Sequence, residues 1–269
     1  MIYDLQKGNI WKRISAFLLD IILLSILAVG AAFLISVITG YDKKTAAFNE
    51  IRDGIAEKHG INVTEEEYNA YTDEQKADYN ARIAEADEEI NSNKEAMRLY
   101  TLINNLTLIM VTGGALFSFL VLEFVVPLLF KNGQTLGKKV FGLAVMRTNG
   151  VKVNGPIMFI RSILGKYAVE TMISAYIVIM FILGKADVIL LILLALIPIV
   201  NIILLIATKT NSMLHDLLAG TVVVDFASQM IFASEEEMIE YKTRVHSEMA
   251  EAAGKENRFS DSASEDAKK

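Results

Sequence analysis

Ionisable side chains are costly in hydrocarbon, and this chain carries several within or beside long apolar stretches: Arg13, Asp20, Glu123, Arg161, Lys166 and Glu170. Arg13 and Asp20 are nearly two helical turns apart and so share a helix face. Asp20 lies eight residues past Lys12, and Glu123 lies eight before Lys131. At 1.5 Å per residue, both carboxylates sit about 12 Å along a helix from the same boundary. Arg161 and Lys166 enter a third apolar stretch from that side, and Lys166 and Glu170 form an i, i+4 pair. Facing lipid, each charge would cost about 2.5–3.5 kcal/mol, so the set should turn inward and pair. The expected base for Asp20 is Arg161 or Lys166. Two chemistries are open to such a cluster. It can be a static set of ion pairs that fixes helix packing. Alternatively, Asp20 and Glu123 face each other, one pKa rises, and protons compete with a monovalent cation for the same oxygens.

Other chemistries are poorly supplied. The chain has no cysteine, which excludes disulfides, thiolate metal sites and Cys nucleophiles. His215 beside Asp216 invites a metal or catalytic reading. Of three histidines, however, His59 falls on the opposite side of the membrane in the topology below, so a three-His zinc site is unavailable. No nucleophile elbow appears. Gly133-Gln134-Thr135-Leu136-Gly137-Lys138-Lys139 resembles a phosphate loop but has three residues between its glycines and a second lysine where Ser or Thr is required. It is read instead as a turn whose Lys138 and Lys139 anchor a span to headgroups. A non-enzyme without cofactor or metal is expected.

Four apolar blocks reach the roughly 20 residues needed to span a bilayer: Ile14–Thr39, Leu102–Phe130, Ile157–Leu183 and Ala186–Ala207. The third is interrupted by Arg161, Lys166 and Glu170 and could instead lie amphipathically at the interface. Gly184-Lys185 separates the last two blocks, which predicts a tight helical hairpin. Pro127 and Pro198 lie inside the second and fourth. The segment 131–156 carries five Lys/Arg and no acid, whereas 40–100 carries fifteen Asp/Glu against eight Lys/Arg. Basic loops stay inside. The expected topology therefore has both termini in the cytoplasm of a multi-pass cell-membrane protein, with 40–100 outside. The predicted fold is all-α transmembrane: a four-helix bundle with an extracytoplasmic helical insertion and a small cytoplasmic β-hairpin. It divides into 1–39, 40–100, a remaining core 101–224, and an acidic tail 225–269. Neither acidic segment is basic enough for nucleic acid.

Within 40–100, Thr64-Glu65-Glu66-Glu67 is a capping-box pattern. The absence of Pro and Gly from Thr64 to Leu102 predicts one helix running into the second span, with Ile83, Ile90 and Met97 along one face. Leu143–Thr148, Asn149-Gly150 and Val151–Val153 read as a hairpin with a type I′ turn. Thr221–Val224 is a second β-prone run that could join it. Ser234–Glu237 should cap a polar helix ending near Ala253, with disorder beyond Gly254.

Three motifs in order carry a resemblance to the RDD family. Arg13-Ile14-Ser15-Ala16-Phe17-Leu18-Leu19-Asp20 is similar to its opening motif, Gly133–Val145 to its middle motif, and Leu214-His215-Asp216-Leu217-Leu218-Ala219-Gly220-Thr221 to its closing motif. The likeness covers about Lys12 to Val224. It implies membrane topology and adds Asp216, the second family aspartate, to the candidate charge network; it implies no activity. The insertion 40–100 and the acidic tail depart from a compact member. Two functions follow from sequence: a small H⁺/monovalent-cation exchanger, whose four spans would call for a homo-oligomer, or an accessory membrane protein that binds a protein partner through 40–100 or 225–269.

Overall fold

The computed structural model describes residues 5–182 and 187–266, and Gly184-Lys185 lies outside them. The chain divides into two compact units, Ser25–Ser118, and Met1–Leu24 with Phe119–Lys269.

Helix α1 (Ile10–Thr39) is long and apolar, and its part from Ser25 onward belongs to the first unit. Gly40, in the left-handed conformation, turns the chain into α2 (Tyr41–Lys58). The predicted capping box at Thr64 opens only the short α3 (Glu65–Asn69). A second box, Thr72 with Gln75, opens α4 (Asp73–Ser92). Asn93 then leaves the helix at ψ 106, and its Oδ1 accepts from Glu95 N and Ala96 N at 3.1 Å to start α5 (Lys94–Phe119). The single helix expected from Thr64 is thus three, because Thr72 and Asn93 satisfy new helix N-termini better than they continue old ones. Met97 consequently lies on a different helix from Ile83 and Ile90. Helices α2 and α4 pack through Ile55 and Ala86. Glu89 accepts from Lys58 and His59, each at 2.8 Å, and Tyr68, Tyr71 and Tyr79 form an aromatic cluster. The apolar parts of α1 and α5 meet at small residues. A Cβ on Gly114 would lie 2.6 Å from Ala28 O and 3.3 Å from Ala32 N, the close approach typical of membrane helices.

In the second unit, α5 continues without a break as a π-helical turn, π1 (Leu120–Val125), and α6 (Val126–Leu129). Pro127, which cannot donate an amide hydrogen bond, lies two residues after the π segment. Next come α7 (Leu136–Val140) and β1 (Leu143–Arg147). A third long helix follows in three parts: α8 (Gly155–Phe159), π2 (Ile160–Met172) and α9 (Ile173–Ile182). Asn154 Oδ1 caps it by accepting from Ile157 N at 3.1 Å. Pro156 occupies the second helical position. Then come α10 (Val188–Ala207), with Pro198 inside it, and α11 (Leu214–Ala219), β2 (Thr221–Asp225) and α12 (Glu235–Asp266). The tail helix passes Gly254 instead of ending before it; one glycine costs a helix only about 1 kcal/mol.

Among the described residues, three helices are long and apolar enough to cross a membrane: Ile10–Thr39, Lys94–Leu129 and Val188–Ala207. The expected third span is helical over 155–182 but falls outside this group, since Arg161, Lys166 and Glu170 make one of its faces polar.

Strands β1 and β2 pair antiparallel, Leu143 opposite Asp225 and Arg147 opposite Thr221. The predicted joining of the two β-prone runs is therefore present, but the hairpin is reduced to one bridge, Met146 to Lys152. Gly150 has φ 93 while Asn149 does not have positive φ, so the turn is not type I′. Arg147 N donates to Val151 O across a three-residue loop. Apolar content decides which partner dominates: Val222, Val223 and Val224 are all buried. One face of the sheet packs Leu143, Val145 and Val223 on Ala16 of α1, and the other packs Ala144, Met146, Val222 and Val224 with Leu5 and Ile231. The segment before α1 is fixed to the sheet by Gly8 N donating to Val223 O and Asp225 N donating to Gln6 O.

Substituting Gly114 by Leu should destabilise the first unit by roughly 1–3 kcal/mol or more, the range for overpacking. Gly30→Leu, at a glycine with nothing within 4 Å, should be near neutral. Unfolding midpoints of the two variants in detergent check this; equal effects would show that α1 and α5 do not meet at Gly114.

Candidate functional site

All of the predicted charge network lies in the second unit. Its backbone is π2, 13 residues long. In an α-helix, Arg161 and Glu170 would point to opposite sides. Each π hydrogen bond spans five residues, which widens the turn to roughly 4.4 residues. That winding brings Arg161, Lys166 and Glu170 close to one line. Gly165 lies on the same element, and a Cβ there would stand 2.7 Å from His215 Cβ and 3.0 Å from His215 Cα. Only glycine lets α11 approach this closely.

The approach delivers Asp216, the most enclosed acid. Its Oδ1 accepts from Arg161 Nε at 3.1 Å, Arg161 Nη2 at 2.8 Å and Thr221 Oγ1 at 3.1 Å. Its Oδ2 lies 3.6 Å from Arg13 Nη2 and accepts from Met213 N at 3.3 Å. Arg13 also donates to Asn211 O at 2.5 Å. Next to it, Glu170 accepts from His215 N at 3.2 Å and lies 2.9 Å from His215 Nδ1. Glu123, on π1, is ion-paired with Lys166. Phe119, Leu24 and Ile163 pack as an apolar layer, with Tyr167 against the Phe119 ring.

Asp20 does not meet Arg161 or Lys166, contrary to the sequence expectation. Thr135 Oγ1 donates to its Oδ2 at 2.5 Å, Gly137 N donates to its Oδ1 at 2.8 Å, and Lys138 Nζ lies 3.7 Å from Oδ2. Thr135 caps α7, and a Cβ on Gly137 would collide with Ala16 O. The loop therefore serves as a cradle that closes over the acid, and Lys138 is buried rather than set among headgroups. Lys139 instead sits 3.8 Å from the centre of the Phe130 ring. Asp20 and Glu123 do not share a proton site, and each has its own base. Two buried atoms of the cluster, Glu123 Oε2 and Arg161 Nη1, are without a hydrogen-bond partner.

Of the seven predicted residues, Asp216, Arg13 and Arg161 form a triad and Glu123 and Lys166 a pair, while Asp20 and Glu170 are partnered by Lys138 and His215. Sequence reasoning missed Thr135, Gly137, Lys138, Asn211 and Thr221 as their partners, and it did not connect His215 to Glu170. The signal for the cradle was present in the Gly133–Lys139 motif. Among the described residues, no group of three His, Cys, Asp or Glu side chains could hold a metal ion.

Burial would raise the Asp216 carboxyl pKa, but Arg161, His215 and Arg13 outweigh it and hold the group well below the usual carboxylate range. Burial pushes His215 down, against the opposing pull of Asp216 and Glu170. Lys138 is also pushed down by burial, to about 8, with Lys166 and Arg161 adding to the effect.

Apolar helices of spanning length and a buried, internally paired charge cluster mark a membrane protein. The RDD family model matches residues 7–220, and the chain belongs to the RDD family. No curated protein and no solved structure matches it.

Removing Asp20 alone should leave Lys138 buried without a counter-charge, a loss of about 3–5 kcal/mol. Asp20→Ala should be partly rescued by Lys138→Met, and not by Arg161→Met or Lys166→Met. Thermal unfolding of the single and double variants decides; rescue by either of the latter would place the pair elsewhere.

A second prediction concerns acid sensitivity. The folded pKa of His215 is lowered, so below an unfolded value of about 6.5 the unfolded chain takes up a proton that the folded chain refuses. Stability should therefore fall as pH drops through and below 6.5. Asp216, also lowered, adds loss only at far more acid pH. His215→Gln should flatten the slope of unfolding midpoint against pH between 7 and 5; an unchanged slope would exclude His215 as its origin.

Proposed function

We propose that this RDD protein is a non-enzymatic accessory membrane protein whose charge cluster is a structural lock, and that it engages a protein partner through 40–100 or the α12 tail. One observation carries this reading. Each acid of the cluster has its own cation or donor: Asp20 with Lys138, Thr135 and Gly137, Glu123 with Lys166, Asp216 with Arg161 and Arg13, and Glu170 with His215. A pathway that exchanges cations needs carboxylates that can give up their protein partners. Here breaking any pair strands a buried charge.

The basic loop 131–156 opposite the acidic 40–100 supports a cell-membrane topology with both ends in the cytoplasm. In that topology the helix over 155–182 crosses as a fourth span, its polar face turned inward and covered by α11. The segment 40–100 then presents the tyrosine cluster and its acidic helices outside, and α12 extends into the cytoplasm.

A second reading, proton-coupled transport of a monovalent cation by a homodimer, is favoured by one observation. Asp20, Lys138 and Lys166 border a common cavity, and the Lys138 pKa of about 8 lies close to physiological pH.

Purified protein in liposomes under an imposed pH gradient separates the two. The lock predicts no Na⁺- or K⁺-dependent proton flux above protein-free vesicles. Flux in the wild type that disappears in folded Asp20→Asn protein would sink the lock and establish the exchanger.

A further inference from the structure

The charge pairs do not use all the hydrogen-bonding capacity around them. A cavity of about 40 Å³ is bordered by Arg13, Ala16, Phe17, Asp20, Lys138 and Lys166, together with apolar side chains from β1, β2 and the start of α11. Three of its four charged walls are cations. Each is nine-tenths buried: Arg13 is 8% exposed and Lys138 and Lys166 are both 9% exposed. The fourth wall, Asp20, has both oxygens engaged by Thr135 Oγ1 and Gly137 N, which disperses its charge away from the cavity.

The donors are in excess. An ammonium carries three N–H groups and a guanidinium five. Lys138 Nζ donates to Thr135 Oγ1 at 3.2 Å, and Lys166 Nζ donates to Glu123. Arg13 donates to Asn211 O and faces Asp216. N–H groups therefore remain on all three cations to meet an acceptor in the cavity. A cation could find only Asp20 here, and would have to displace donors already bound to it.

Size limits the ligand further. One water needs about 10–15 Å³ of this kind of space, so the cavity of about 40 Å³ takes about three or four water-sized groups. A nucleotide or a whole lipid headgroup does not fit.

We propose that the cavity bordered by Arg13, Asp20, Lys138 and Lys166 binds a small monovalent anion of the halide class, which ties the loop carrying Lys138 to α1 and π2. The site is independent of whether the protein transports anything. A lock would use the anion as a structural ligand, so failure of this proposal leaves the functional reading standing.

The test uses full-length protein in a neutral, phosphate-free detergent, with chloride exchanged for gluconate at constant ionic strength. Chloride should raise the unfolding midpoint saturably, by about 5 °C or more at a hundredfold excess over its Kd. Bromide should substitute for it. Lys138→Met should lose the saturable rise, while Lys139→Met, which removes the same charge from the neighbouring position, should keep it. Crystals of the wild type grown with bromide should show its anomalous signal between Lys138 and Lys166. That arm decides the matter if Lys138→Met does not fold. A midpoint indifferent to the anion, an equal response in both lysine variants, or a cavity holding only water in the bromide crystals would each overturn the proposal.

Discussion

A carboxylate withdrawn from water must be neutralised by its surroundings, and Asp216 answers that requirement with two arginines from distant parts of the chain. Arg13 comes from the first turn of α1 and Arg161 from π2. The acid itself is carried on α11, immediately before β2. One ion triad thus fixes the entry of the first apolar helix, the polar face of the 155–182 helix and the strand that completes the sheet. Breaking it from one side leaves charges that cannot reach solvent, so the remaining contacts of this unit depend on its being intact.

The π winding of Ile160–Met172 is the second constraint. An α-helix repeats every 3.6 residues and would scatter Arg161, Lys166 and Glu170 around its circumference. The wider turn collects them, and Gly165 then admits α11 to the surface they make. A stretch that looks too polar to span a bilayer thereby keeps its charges within protein, where pairing replaces solvation. Its apolar remainder, including the exposed Ile160, Leu164, Ile173 and Tyr176, is left outward.

The small sheet plays a mechanical part beyond its size. Both of its faces are apolar and buried, and its edge takes up residues 6–8 through Gly8 and Gln6. Ala16 seats α1 on one face, one turn before Asp20 meets the loop at Gly137. Burial of the sheet and burial of the Asp20 carboxylate are therefore coupled through a single helical turn. The contact requires Ala at position 16 and Gly at position 137, because the two backbones approach more closely than larger side chains allow.

The apolar blocks, the RDD motifs and the charged residues of the cluster other than Lys138 were legible in the sequence, because span length, charge bias and motif order are local properties. The capping chemistry at Thr64 was legible for the same reason. The partners were not. Asp20 was matched to Arg161 or Lys166 on depth along ideal helices, but the Gly133–Lys139 loop folds back under the first helix and supplies Thr135, Gly137 and Lys138 instead. Depth along a helix is a one-dimensional measure; it cannot register a loop that re-enters or a π turn that rotates a face. The breaks at Thr72 and Asn93 and the choice of β2 over the local hairpin return have the same origin. Each was decided by competition between satisfying backbone groups locally and burying apolar surface elsewhere. Sequence by itself determined which residues carry charge into an apolar setting, and tertiary structure alone determined which of those charges meet.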